Sequence, residues 1–298
     1  MRGAGDVGSA VAVLLFRAGY AVALHEEPAP IVSRRGMAFV DAIFDGQCVL
    51  DGVTAHRIDN AGDLGIALLE RKVVPVTVIP FHQVIGARTW AVLVDARLRR
   101  RTVPESQRGL APLTIGLGPN FIARQNVDLA IETSWGSTLG AIIRDGSTLP
   151  FAGEPRALGG VSRDRFVYAP ASGVFQTSTS IGAFVVAGDH VAKIGNVDLR
   201  TPVTGIVRGV TRSGVEVTAT TKVIEIDPRG DPSAAFGLGE RPRRIAEGVC
   251  RALEEVRASR PVSSRTANPR SVIRNQDSSS DSKQELTLPE LPPQNSEQ

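Results

Sequence analysis

Cysteine is nearly missing from this chain: Cys48 and Cys250 are the two in 298 residues. That excludes a disulfide framework and any Cys-based metal spacing, and fits a reducing, cytoplasmic setting. No apolar run approaches the roughly 18–20 residues that span a bilayer, so no membrane role is expected. The start lacks a basic segment followed by an apolar one, so secretion is not indicated. Aromatic residues are sparse, at 5%. The densest basic run, "RLRRR" (Arg97 to Arg101), has none interleaved and reads as a solvated loop, not as a nucleic-acid surface. His25, His56, His82 and His190 show no metal pairing. No serine elbow and no Cys–His arrangement is present, which points away from hydrolysis.

What the chain does have is patterning. Residues 1–158 alternate apolar β-branched runs with helical stretches, as in an α/β protein with a mostly parallel sheet. "SAVAVLLFRAG" predicts a helix stopped by Gly19, and "YAVALHE" a strand. "VVPVTVI", "TWAVLVDA", "APLTIGLG" and "VDLAIE" predict further strands buried on both faces. "QCVLDGVTAHRI" predicts a hairpin around Asp51-Gly52. Residues 159–230 turn all-β, with an internal repeat. "VYAPASGVF" (167–175) is echoed by "LRTPVTGIV" (199–207), and "GDHVAKI" (188–194) by "GVEVTAT" (214–220). Such a duplication predicts a compact sandwich with a pseudo-two-fold. Residues 231–259 carry a helix with Ile245, Val249, Ala252, Leu253 and Val256 on one stripe. Residues 260–298 are polar and Pro/Ser-rich, and are expected to be disordered.

Gly3, Gly5 and Gly8 fit the G-x-G-x-x-G fingerprint, in which backbone N–H groups at a helix N-terminus meet a phosphate. Asp6 lies within it. Glu26 follows about 20 residues after the turn, where a ribose-binding acid belongs, with Glu27 beside it. The alternative is a tight β–α turn that binds nothing. A second glycine turn, "IGLGPNF", places Gly116, Gly118 and Pro119 at the carboxyl end of a strand. Asp95 ends "AVLVDA" and Glu132 ends "VDLAIET", so both reach the same end of the sheet. They either reach a polar ligand or a divalent cation in the crevice, or cap the turns that follow them.

Six segments in register, "RGAGDVGSAVA", "EPAPIVSRRGMAFVDAIFDG", "VLVDAR", "IGLGPNF", "AIETSWGSTLG" and "EIDPRG", resemble the selenium-dependent molybdenum hydroxylase accessory proteins, relatives in role of the XdhC-type maturation factors. The resemblance covers about residues 1–257. It implies a Rossmann-like domain followed by a barrel-sandwich "hammerhead" like those that carry biotin or lipoate. It also implies a role in equipping a molybdenum hydroxylase apoenzyme with a chalcogen-bearing molybdenum cofactor (molybdopterin), or binding of a nucleotide. The linking stretch "IGNVDLRTP" holds no lysine, and Lys193 lies in a strand-like run, so a swinging arm is not expected. Trp135-Gly136-Ser137 stands where the family has Arg-Gly-His, and Asn120 where it has Gly. Asp227 and Arg229 of "DPRG" are retained, to hold a phosphate or, the favoured reading, to clamp the two domains. Family members carry an apolar strand just upstream of the first turn. Here only Met1 and Arg2 stand in that place, so unpaired neighbouring strands, a hole in the core and poor folding are expected. Two rivals remain: an NAD(P)-dependent oxidoreductase, and a degenerate interaction module that binds no ligand.

Overall fold

The computed structural model describes residues 1–99 and 102–259. The expected disordered tail, 260–298, lies outside the described residues, as do Arg100 and Arg101 of the basic run. Within α1 (Asp6–Arg17) the apolar residues wrap most of the circumference, and most of the helix is buried. Gly19, at φ +83°, follows its end as expected. The chain returns in β1 (Leu24–His25), and "SRRGMAFVDAIFD" makes a 3-10 turn and the short helix α2 (Ala42–Asp45). The expected hairpin is present: β2 (Gln47–Leu50) and β3 (Val53–Arg57) pair with Leu50 opposite Val53. Both loop residues take positive φ, Asp51 at 50° and Gly52 at 75°. Then come α3 (Ala61–Glu70), β4 (Val74–Thr77), α4 (Phe81–Gly86), β5 (Leu93–Asp95) and β6 (Thr114–Leu117). A small antiparallel pair, β7 (Ile122–Ala123) with β10 (Gly146–Ser147), flanks β8 (Leu129–Ile131) and β9 (Ile142–Ile143) in the sequence.

Strands run β2-β3-β4-β1 on one side and β5-β6-β8-β9 on the other. Residues 1–3 join the two sets, because Arg2 bridges both His25 and Asp95 in parallel. Its N–H donates to the Val94 carbonyl and that of Gly3 to the His25 carbonyl, both at 2.8 Å; the His25 and Ala96 N–H groups return bonds to the Met1 and Arg2 carbonyls at 2.9 and 2.8 Å. The expectation of unpaired neighbours is corrected at this end of the sheet, where Met1 and Arg2 are themselves the pairing strand. All but the edge strands β2 and β9 are parallel. Chain order reverses at residues 1–3, with β1 and β4 to one side and β5 and β6 to the other. Loops at the carboxyl ends of strands diverge at such a reversal.

The rest is built from strands β11 (Phe166–Tyr168), β12 (Gly173–Gln176), β13 (Phe184–Val185), β14 (His190–Ile194), β15 (Val197–Arg200), β16 (Gly205–Val210), β17 (Glu216–Val217) and β18 (Lys222–Asp227). They form two antiparallel sheets, β11-β18-β16-β13 and β15-β14-β12-β17. Advancing β11–β14 by 32 residues, the separation of Gly173 from Gly205, lays them on β15–β18 and converts one sheet order into the other. The first sequence echo has this offset. The second does not and is corrected: Gly214 (φ +91°) matches Gly182 (φ +86°), and Gly188 (φ +91°) matches Thr220 (φ +67°). Phe175, Ile194, Val207, Val217 and Ile224 fill the space inside. The β14–β15 turn is Gly195-Asn196, and Lys193 sits within β14 opposite Asp198.

Helix α5 (Glu240–Ser259) buries Ile245, Val249, Ala252 and Leu253 of the expected stripe. These share a core with Val7, Val11 and Leu15 of α1 and with Leu24, Val94, Ile115 and Ile131 of the sheet. Gly248 makes the approach possible, since a Cβ there would lie 2.4 Å from the Gly140 carbonyl oxygen. No helix among the described residues is long and apolar enough to cross a membrane.

Candidate functional site

The three fingerprint glycines have distinct jobs. Gly3 lies at φ +99°, and a Cβ on it would come within 2.9 Å of the Ala96 carbonyl. A Cβ on Gly8 would lie 2.0 Å from the Gly3 carbonyl oxygen, so α1 sits against the turn only because that atom is missing. Gly5 is different: a Cβ there meets nothing within 4 Å. It is also the N-cap of α1 and supplies no side chain to the first-turn N–H groups. Two glycines thus make the geometry, and the middle one leaves open space at a helix N-terminus, where an anion is favoured.

Acids surround this turn. Glu26 braces it: its Oε2 accepts the Ala4 N–H at 2.8 Å and its Oε1 the Glu27 N–H at 3.0 Å. Asp6 accepts from Arg34 Nη1 at 3.0 Å. Burial, the largest single influence, pushes the Asp6 carboxyl up, but Arg34 and Arg241 together outweigh it and hold it below the ordinary range. Asp95, buried at the end of β5, accepts from the Arg97 backbone N–H at 3.2 Å and from its guanidinium. Arg97 also meets Glu105, which gathers Arg2 and Arg99 as well. The basic run is therefore no solvated loop at Arg97; that residue is tied into the strand end.

At the second glycine turn a Cβ on Gly116 would strike the Phe121 ring at 2.2 Å. Gly118, at φ +97°, packs on Leu98 and Thr133, and the Thr148 hydroxyl donates to its carbonyl at 2.7 Å. Pro119 follows, half-buried. Asn120 sits at φ +70°, a region that Asn tolerates better than other non-glycine residues. Glu132 is buried and spends both oxygens on backbone N–H groups, those of Thr133, Ser134 and Leu149, each at 2.7 Å. It staples loops together. Trp135 is 40% exposed, with the Arg156 guanidinium 4.4 Å from its ring centre. Among the described residues no three His, Cys, Asp or Glu side chains gather as metal ligands do.

Asp227 and Arg229 bond to each other, Nε to Oδ1 at 2.9 Å and Nη2 to Oδ2 at 2.6 Å. The ion pairs that join the two halves of the chain run elsewhere, through Arg34 and Glu225. Glu225 of β18 is 0% exposed and takes two bonds from Arg34, each 2.9 Å, one from Arg165 at 2.5 Å and one from Lys222 at 3.1 Å. Arg34 thereby links Asp6 beside the glycine turn to the β strands. Arg35 adds a bond to the Val210 carbonyl at 2.9 Å, and the Val210 N–H donates to the Ser33 carbonyl at 2.8 Å. A charged residue inside the apolar run "KVIEID" was the available signal, since a buried carboxylate demands cations.

No family model matches the chain. Among solved structures it is similar over short segments to product-bound ectoine utilization protein EutE (DoeB) from Ruegeria pomeroyi, with 25% identity, TM-score 0.20 and 21% of each chain covered. A succinylglutamatedesuccinylase/aspartoacylase from Rhodobacter sphaeroides shows 22% identity and TM-score 0.21 over 24% of this chain and 23% of that one. Both likenesses are too slight to bear on fold or activity. In sequence the chain is similar to the uncharacterized protein YqeB of Escherichia coli (strain K12), 36% identical over 253 residues, which is 85% of this chain and 46% of that relative, so it spans about half the relative's length.

Proposed function

We propose that this chain is an accessory factor for molybdenum hydroxylases that binds a phosphate-bearing cofactor or nucleotide and hands it on. The observation that carries the binding part is the empty space over Gly5 at the start of α1. A phosphate there would accept backbone N–H bonds and meet the positive end of the helix dipole. Arg34 neutralises Asp6 at the rim, so that acid does not repel an anion. The Gly116–Pro119 turn, at the end of the next strand but one, would bound the same crevice. In this reading the sheet is Rossmann-like, and the β strands form a barrel-sandwich module used for docking, since its Gly195-Asn196 tip offers no attachment lysine. Molybdenum cofactor would be cargo, held by its phosphate.

The hydroxylase role rests on the six motifs in register. Deleting the gene should abolish activity of the hydroxylase served, and the tagged chain should capture that apoenzyme; an unaffected hydroxylase removes the reading. The NAD(P)-dependent oxidoreductase is the rival, and the engagement of Glu26 with Ala4 counts against it, because that carboxylate braces the turn instead of reaching a ribose. Fluorescence titration with NADH and NADPH separates the two.

A further inference from the structure

The two-fold relation within the β strands provides an internal control. Arg208 and Glu225 occupy the positions that Gln176 and Lys193 hold in the other half. Gln176 and Lys193 face each other directly, without a bulge, and are exposed. In the second half the register slips: Val207 opposes Ile226 and Gly209 opposes Glu225, leaving Arg208 as the extra residue of a bulge. Bulges re-aim side chains, and they recur beside functional sites. This one stands where the strands meet Arg34 and, through it, Asp6.

Arg208 is poorly served by its neighbours. Its side chain is 14% exposed, and its Nη1 lies 3.9 Å from Glu225 Oε1 and 3.9 Å from Asp227 Oδ2, beyond hydrogen-bond reach. Its Nε is buried with no acceptor, and so is the Nε of Arg165, whose side chain is only 3% exposed. The nearby carboxylates are already engaged, Glu225 by Arg34, Arg165 and Lys222, and Asp227 by Arg229. Burial and the charge of Arg34 both hold the Arg208 guanidinium below its ordinary pKa. Buried donors without acceptors are costly, and such groups in a folded protein call for a missing partner.

We propose that this cluster is an oxyanion site, in which a phosphate-class group bonds Arg208 and is flanked by Arg34 and Arg165. A guanidinium fork matches two oxygens of such a group, and the surplus of cations supplies its charge balance. The site goes beyond the glycine-turn reading and stands without it. Its occupant is either free phosphate or a phosphoryl group of the ligand held at the turn.

The test is thermal unfolding of the full chain in inorganic phosphate against chloride at equal ionic strength. Phosphate should raise the midpoint by several degrees in a saturable manner. Arg208→Met should weaken phosphate affinity at least tenfold without lowering the midpoint in chloride, because it removes an unsatisfied cation. Arg208→Lys should keep part of the effect, and Gly5→Val should keep the part that Arg208→Met removes. Equal midpoints in phosphate and chloride, or an undiminished shift in Arg208→Met, overturn the proposal. Complete loss of the shift in Gly5→Val, with none lost in Arg208→Met, overturns it too, while leaving the glycine-turn reading intact. ADP that removes the Arg208-dependent part of the phosphate shift assigns the site to one shared ligand; an unchanged Arg208-dependent part assigns it to free phosphate.

Discussion

Replacing Glu225 by Gln leaves the shape of the residue and removes its charge. The wild-type carboxylate is 0% exposed and is shared by Arg34, Arg165 and Lys222, with Arg165 itself only 3% exposed. A glutamine offers one acceptor oxygen and turns an NH2 group towards cations, so at least one buried guanidinium is left unpaired. Removing one member of a buried pair costs about 3–5 kcal/mol, against a total stability on the order of 5–15 kcal/mol. At roughly 2–4 °C per kcal/mol for a unit of this size, the melting midpoint should fall by about 6–20 °C. Urea is the denaturant of choice, because guanidinium would screen the pairs under study. The pH dependence has a definite sign. Burial pushes the Glu225 carboxyl up, but the cations win and hold it well below 4.5, so its contribution is full above about pH 5 and is lost as the pH falls further below 4.5. The variant should therefore lose less stability on acidification than the wild type. A loss under about 1 kcal/mol at pH 7, with an unchanged acid slope, would refute the claim that this cluster fastens the β strands to the glycine turn.

Other consequences are equally direct. Gly8→Ala drives a methyl to 2.0 Å from the Gly3 carbonyl oxygen and should cost at least the 1–3 kcal/mol or so typical of overpacking, read by urea unfolding. Thr220 holds φ +67° where its two-fold mate is Gly188; Thr220→Gly should raise stability by about 0.5–1 kcal/mol, the left-handed penalty less glycine's extra entropy.

Local signals were readable in the sequence. Glycine spacing located the turn before α1, Asp51-Gly52 located a two-residue hairpin, and the Ile245–Leu253 stripe located the buried face of α5. Each depends on residues within a few positions of one another. The β repeat was legible through Gly173 and Gly205, but its second half was misaligned. Gly188 and Gly214 each begin a Gly-x-x-Val, yet they lie in different halves at successive turn positions of the repeat, and the true mate of Gly188 is a threonine. The joint between the halves was not legible, because Arg34 and Glu225 lie 191 positions apart. Nothing in "SRRG" or "KVIEID" names the other, although a carboxylate in a buried strand announces that some cation must come. Asp95, Glu132 and Glu26 were rightly placed at the sheet edge. Capping was one of the two readings for Asp95 and Glu132; which of the two holds, and that Glu26 turns back on the Ala4 N–H, depends on loop paths that short motifs do not specify.

On the binding proposal, the glycine turn at the start of α1 receives a phosphate. Isothermal titration of the full chain with ADP tests it most directly, beside Gly5→Val, whose side chain would fill the open space while leaving the packing at Gly3 and Gly8 untouched. Saturable binding by the wild type is expected, with at least a tenfold loss in the variant at unchanged thermal stability. Equal affinity in both proteins, or no heat from ADP, pyrophosphate, NADH or molybdopterin, would contradict it.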